Sequence, residues 1–247
     1  MRRIMLTVAY DGTDFHGWQA QPGVRTVEGE LNRVLSEWLN DDISVIGASR
    51  TDTGVHALGN LAVFDMELSI PTDKIAYALN TKLPSDVKVQ KAEEVAPDFH
   101  PRHCASRKTY EYHIYASQFP MPLAGRYAYY TYLQPDISKM QQAAAYLIGE
   151  HDFKSFCCVR TQAESTVRTI YNIEVRKEDK EIVIQIEGNA FLYNMVRIVA
   201  GTLLDVGTGK TQPEDIPRIL EQCDRTFAGP TLPPEGLRLC RIDISDK

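Results

Sequence analysis

Apolar and polar residues alternate through Ile4–Tyr10 (IMLTVAY), which predicts a strand with one face buried. The strand breaks into a polar, glycine-containing loop, DGTDFHGWQAQPGVR (11–25), whose Phe15 and Trp18 are of the buried type, so the loop is expected to pack or to bind something. Thr26 can then cap a helix in which Val27, Leu31, Val34, Leu35, Trp38 and Leu39 keep helical spacing, with Glu28 and Glu30 in the first turn, where the helix end favours acids. Strand patterns follow at Ile43–Ala48 and Leu61–Phe64, flanking SRTDTGVHALGN. A helix is expected over Pro71–Lys82 and a strand over Val87–Val95.

PDFHPRHCASRK (97–108), with two prolines and clustered basic and imidazole groups, reads as a boundary. After it the pattern restarts with TYEYHIY and an aromatic strand at Tyr127–Leu133. Ser138 and Gln141 form a capping box for a helix through Leu147. Strands at Thr169–Arg176 and Glu181–Glu187 are joined by a hairpin at KEDK, and a long helix begins at about Asn189. That helix is apolar almost all round, yet Asn194, Arg197, Gly201 and Asp205 fall on one stripe. A buried arginine requires a counter-charge, so Arg197 should face Asp205, another carboxylate or an anionic ligand.

Composition sets limits. With 43% hydrophobic and 24% charged residues among 247, the chain is neither disordered nor a coiled coil and can hold one large core or two modest ones. The net charge of -6 gives no global sign of a nucleic-acid partner, so any RNA binding must come from a local basic surface. The opening residues lack the apolar length of a signal peptide. The longest apolar stretch, Ala190–Val206, is too short for a membrane span and carries Arg197, so no membrane is expected. Five cysteines, without a C-x-x-C pair, suit reduced thiols in a cytoplasm. His100 and His103 beside Cys104 lack a second ligand cluster, and no metal is expected.

The single Asp-Thr-Gly, Asp52–Gly54, suits half of a protease pair, a nucleophile or a plain turn. A protease needs two such carboxylates sharing a proton, and Arg50 two residues upstream could hold Asp52 ionised. An ionised aspartate can attack carbon without a dedicated base, while a loop salt bridge to Arg50 is the alternative without chemistry. VGTGKT (206–211) has Leu204 where a phosphate-binding loop needs glycine, and reads as a glycine-rich helix stop, so no nucleotide cofactor follows.

Six segments in order, AYDGTDFHGWQAQ (9–21), ASRTDTGVHA (48–57), RKTYEYHIY (107–115), GEHDFKSF (149–156), NAFLYNMVRIVAG (189–201) and EGLRL (235–239), together resemble the tRNA pseudouridine synthase A family. The resemblance implies an α+β fold of two α/β halves, 1–105 and 106–247, whose antiparallel RNA-recognition-like sheets flank a central active-site cleft. It implies a cofactor-free, metal-free homodimer that isomerises uridine to pseudouridine at positions 38, 39 and 40 of the tRNA anticodon stem-loop. Carried onto this chain, the nucleophile falls on Asp52. Tyr110 would stack on the uracil and assist removal of the C5 proton, Arg197 would partner the aspartate, Arg50 would switch between Asp52 and the RNA backbone, and Leu237 would pack near the base.

Ser49 and Thr53 stand where the family often has glycine and alanine, and Ala20 where a basic residue is common. Extruding a stem uridine requires phosphate contacts, for which Arg25, Arg102, Arg107, Lys108, Arg160 and Arg168 are candidates. The alternative from another class is a non-catalytic RNA-binding or RNA-folding module.

Overall fold

The computed structural model describes residues 1–158 and 163–244. It is α+β and divides into two compact units, Met1–Ala105 together with the residues from Leu239 onward, and Ser106–Arg238. The expected second half ran to the C-terminus; here the last strand leaves it after Arg238. Among the described residues no helix is long and apolar enough to cross a membrane.

In the first unit β1 (Arg2–Tyr10) is flanked by β3 (His56–Met66) and β4 (Val87–Val95), antiparallel to both; β10 (Leu237–Ile244) follows β3 and the short β2 (Ile46–Gly47) also pairs with it. Alternation gives β1 one buried face, Ile4, Leu6, Val8 and Tyr10. Two helices belong to the unit, α1 (Val27–Leu39) and α2 (Thr72–Asn80). Thr26 caps α1 by accepting from Gly29 N at 3.2 Å, and Val27, Leu31, Val34 and Leu35 are its buried face.

The strand expected over Ile43–Ala48 shrinks to two residues, for a local reason. Side chains of α1 take the backbone groups a ladder would need: Ser36 Oγ accepts from Ile43 N at 2.9 Å and Asn32 Oδ1 from Val45 N at 2.8 Å.

The second unit has strand order β5-β9-β8-β7: β5 (Ser106–Ala116), β7 (Gly149–Asp152), β8 (Val167–Glu178) and β9 (Glu181–Gly188), all antiparallel neighbours, with β6 (Tyr129–Thr131) parallel to β5. The β8–β9 hairpin turns at Asp179, whose φ of 54° is tolerated by a short polar side chain. Helices α3 (Ile137–Ala145), α4 (Met195–Gly207) and α5 (Ile216–Gln222) complete the unit.

Two helix starts differ from the sequence reading. Asp136, not Ser138, caps α3, accepting from Ser138 N and Lys139 N at 3.0 and 3.2 Å, while Gln141 donates to Val175 O instead. The long helix begins at Met195, six residues after Asn189. Asn189 Oδ1 accepts from Thr169 N and Ala190 N, binding the chain to β8, and Asn194 sits in the left-handed region (φ 63°), which a continuing helix forbids. The glycine-rich stop is as expected: α4 ends at Gly207, and Gly209 has φ +81°.

Candidate active site

Asp52 stands on the turn between β2 and β3, half-buried, with Gly54 at φ +79° and Val55 N donating to Asp52 O at 3.1 Å. The turn is clamped from outside. Trp18 N donates to Thr51 O at 3.0 Å, and Gly54 N donates to Phe15 O at 3.2 Å, so the 11–25 loop is laid along the backbone on both sides of Asp52. Phe15 and Trp18, 1% and 0% exposed, fix the loop in place, which gives its buried-type aromatics their reason.

The approach is so close that two loop positions tolerate no side chain. A Cβ on Gly12 would lie 2.0 Å from Val55 O, and one on Gly17, itself at φ +83°, would lie 2.7 Å from Thr51 O. Gly12→Ala must therefore shift the Asp52 turn by something on the order of 1 Å. That displacement is expected to lower the single-turnover rate of any chemistry carried by Asp52 by up to about 100-fold, well beyond any effect on substrate affinity.

From inside, Asn60, fully buried on β3, donates to Ser49 O at 2.9 Å and accepts from Ser49 N at 3.3 Å; Tyr10 Oη and Thr51 Oγ1 are 2.7 Å apart. Asn60→Leu keeps the volume but removes the Asn60 bonds to both backbone groups of Ser49. It should cost about 2 kcal/mol in urea unfolding.

Arg50 is exposed and makes no hydrogen bond or ion pair among the described residues, so the expected salt bridge to Asp52 is not formed. The basic candidates also separate. Arg25 is committed to Asp86 in a two-pronged bond of 2.7 and 2.9 Å, reaches Glu30 and lies 4.1 Å from the centroid of the Phe15 ring. Arg107 pairs with Glu187 at 3.0 Å and lies over Tyr171. Arg168 donates to the carbonyls of Ser165 and Val167, and its burial lowers its pKa. Lys108 is half-buried in β5, Arg102 is exposed, and Arg160 lies outside the described residues.

The second unit holds the remaining candidates. Tyr110 on β5 is 7% exposed, with its ring edge-on to Phe191 at 5.2 Å. Tyr112, two residues along the same face, is wholly buried and donates to Pro233 O at 2.7 Å; burial is the first cause of its raised pKa, so its hydroxyl stays neutral. Arg197 is half-buried and donates to Leu232 O at 2.6 Å and to Asn194 Oδ1 at 2.9 Å, which accounts for two members of the polar stripe. Asp205, a third, bonds Lys210 at 2.9 Å. Leu237 is buried at the start of β10.

On the opposite face of β5 lies a charged group the sequence reading did not single out. Glu111, buried, accepts from Arg176 at 3.0 Å, from Gln185 at 2.9 Å and from Arg238 at 2.6 Å, and also contacts His113, whose other ring nitrogen meets Glu181. Its signal was present in TYEYHIY, where the alternation sets an acid and a histidine against three large apolar groups.

A family model described as tRNA pseudouridine synthase matches residues 6–103 and 143–243. The chain belongs to that family and is an isomerase acting on uridine in tRNA. A protein of Caldicellulosiruptor bescii named tRNA pseudouridine synthase A is 48% identical over 244 residues, 99% of each chain. Relatives of the same name from Acetivibrio thermocellus and Brevibacillus brevis are each 44% identical over 242 residues, 98% of this chain and 99% of theirs.

Proposed function

We propose that the chain converts uridine to pseudouridine at positions 38, 39 and 40 of the tRNA anticodon stem-loop, with Asp52 as nucleophile, as a cytoplasmic homodimer. The observation that carries this reading is the clamped Asp52 turn. A carboxylate whose turn is held by backbone bonds, by buried Asn60 through Ser49 and by Tyr10 through Thr51 keeps its position when a nucleotide is extruded toward it.

In the reaction the carboxylate adds to the nucleoside and the C1′–N1 bond breaks. The freed base turns, C1′ bonds to C5, and the bond to Asp52 breaks, which returns the free carboxylate. The C5 proton leaves and N1 gains one, so the product is an isomer and no redox partner is consumed. Tyr110, Arg50, Arg197 and Leu237 are assigned to substrate binding. Tyr110 offers a ring for stacking and a hydroxyl within the same side chain for proton removal at C5. Extruding the base costs a few kcal/mol, which phosphate contacts offset.

The test is positional. Three anticodon stem-loop RNAs, each with one uridine at 38, 39 or 40, and a fourth with uridine only elsewhere, are incubated with the protein and mapped for pseudouridine. Product in the first three alone supports the reading. Product in the fourth contradicts the positions, and tight binding without product in any would favour the RNA-binding module.

A further inference from the structure

Seven arginines belong to described parts of the first unit, and five of them bond a carboxylate: Arg2 to Glu94 at 2.7 Å, Arg3 to Asp65 at 2.7 Å, Arg25 to Asp86 at 2.7 Å, Arg33 to Glu30 at 2.8 Å and Arg241 to Asp243 at 2.8 Å. Arg50 and Arg102 do not, among the described residues. Arg102 donates from Nε to Gly47 O at 2.7 Å, which pins the guanidinium and leaves both terminal amino groups unspent. The backbone that pins it is five residues from Asp52, and Arg50 is two residues from it.

The two guanidiniums also sense each other. Burial against Gly47 lowers the pKa of Arg102, the charge of Arg50 lowers it further, and only Glu28 opposes. Glu28 already accepts from Ala20 N at 2.6 Å. Nearby imidazoles add no negative charge: His100 packs against His103 with ring centroids 4.1 Å apart, and its own pKa is lowered, first by burial and then by its neighbours, Arg102 and Arg3 among them. Like charges gathered with no carboxylate bonded to either are unfavourable until an anion joins them, and planar guanidinium forks match a phosphate's oxygens. In a chain of net charge -6, such a pair is a local exception.

We infer that Arg50 and Arg102 together bind one backbone phosphate of the tRNA substrate beside the nucleotide presented to Asp52. The inference rests on the proposed stem-loop reading and deepens it: among the basic candidates, Arg102 becomes a phosphate contact while Arg25 and Arg107 hold the fold. The role is positioning, since neither arginine is required to touch the reacting atoms.

The test measures affinity for an anticodon stem-loop RNA between about 50 and 200 mM KCl, where each phosphate contact contributes about 0.9 to the log–log salt slope on duplex and about 0.7 on single strand. Arg102→Gln is expected to weaken binding about tenfold at the lower salt and to reduce the slope by about 1. Arg102→Lys, which loses the same fork and the Gly47 bond but keeps the charge, is expected to retain the slope. The Arg50→Gln/Arg102→Gln double variant is expected to lose no further slope, because the one phosphate is held only while both forks are present. An unchanged slope in Arg102→Gln, an equal loss in Arg102→Lys, or a loss of about 2 in the double variant would overturn the site. Wild-type protein that binds the RNA but never isomerises it would defeat the proposed function while leaving these slope differences standing.

Discussion

Replacing Glu111 with alanine is expected to destabilise the protein by about 3 kcal/mol at neutral pH. Its carboxylate is buried and accepts from Arg176, Gln185 and Arg238, so donors from β8, β9 and β10 converge on one acid of β5. Removing one member of a buried charge cluster leaves the others uncompensated, a loss of about 3–5 kcal/mol. The low end applies because the side chains of Arg176 and Arg238 are 32% and 35% exposed and regain water.

The same cluster sets a pH dependence. Burial alone would raise the pKa of Glu111, but the bonds from Arg238, Arg176 and Gln185 outweigh it and hold the carboxyl far below its ordinary value of 4.5. A group with a depressed folded pKa contributes stability that is complete above its unfolded pKa and is lost as the pH falls through the folded one. Urea unfolding should therefore show the wild-type advantage over Glu111→Ala undiminished at pH 7 and shrinking below about pH 4.5. A gap that stays constant to low pH would mean the side chain acts by packing alone.

Elements built on local rules were legible in the chain. The strand Val87–Val95 has the bounds read from alternation, and Thr26 caps α1 because a hydroxyl precedes a helical apolar stripe. Where several residues could satisfy one rule, geometry chose: Asp136 displaced Ser138 as the α3 cap, and Asn194 in the left-handed region postponed α4. Side chains that bond backbone at a distance were invisible locally. Ser36 and Asn32 dissolve most of the strand that the pattern favoured over Ile43–Ala48, and Asn60, at the end of SRTDTGVHALGN, anchors Ser49 from eleven residues away.

The candidate site shows the same division. Asp52 and the loop carrying Phe15 and Trp18 could each be flagged from residue type, but not that Gly12 and Gly17 lie against the backbone on either side of the aspartate. Those contacts join segments some forty residues apart, and no periodicity reports them. Arg50 was expected to pair with Asp52 because two residues separate them; in the structure the side chain is exposed instead and has no such bond among the described residues.

The central claim is that Asp52 forms the bond to substrate. Asparagine has the same shape and keeps the turn's backbone bonds, Val55 N to Asp52 O at 3.1 Å among them, but an amide is not a nucleophile at neutral pH. Asp52→Asn should therefore fold, bind tRNA with an affinity near that of wild type, and lose more than about 1,000-fold in rate, since deleting a covalent nucleophile removes the whole pathway it opens. The direct measurement is pseudouridine mapped in an anticodon stem-loop RNA after incubation with equal, RNA-saturating amounts of each protein. The account predicts product with wild type and none above the enzyme-free background with Asp52→Asn; pseudouridine formed by the variant at a comparable rate would contradict it.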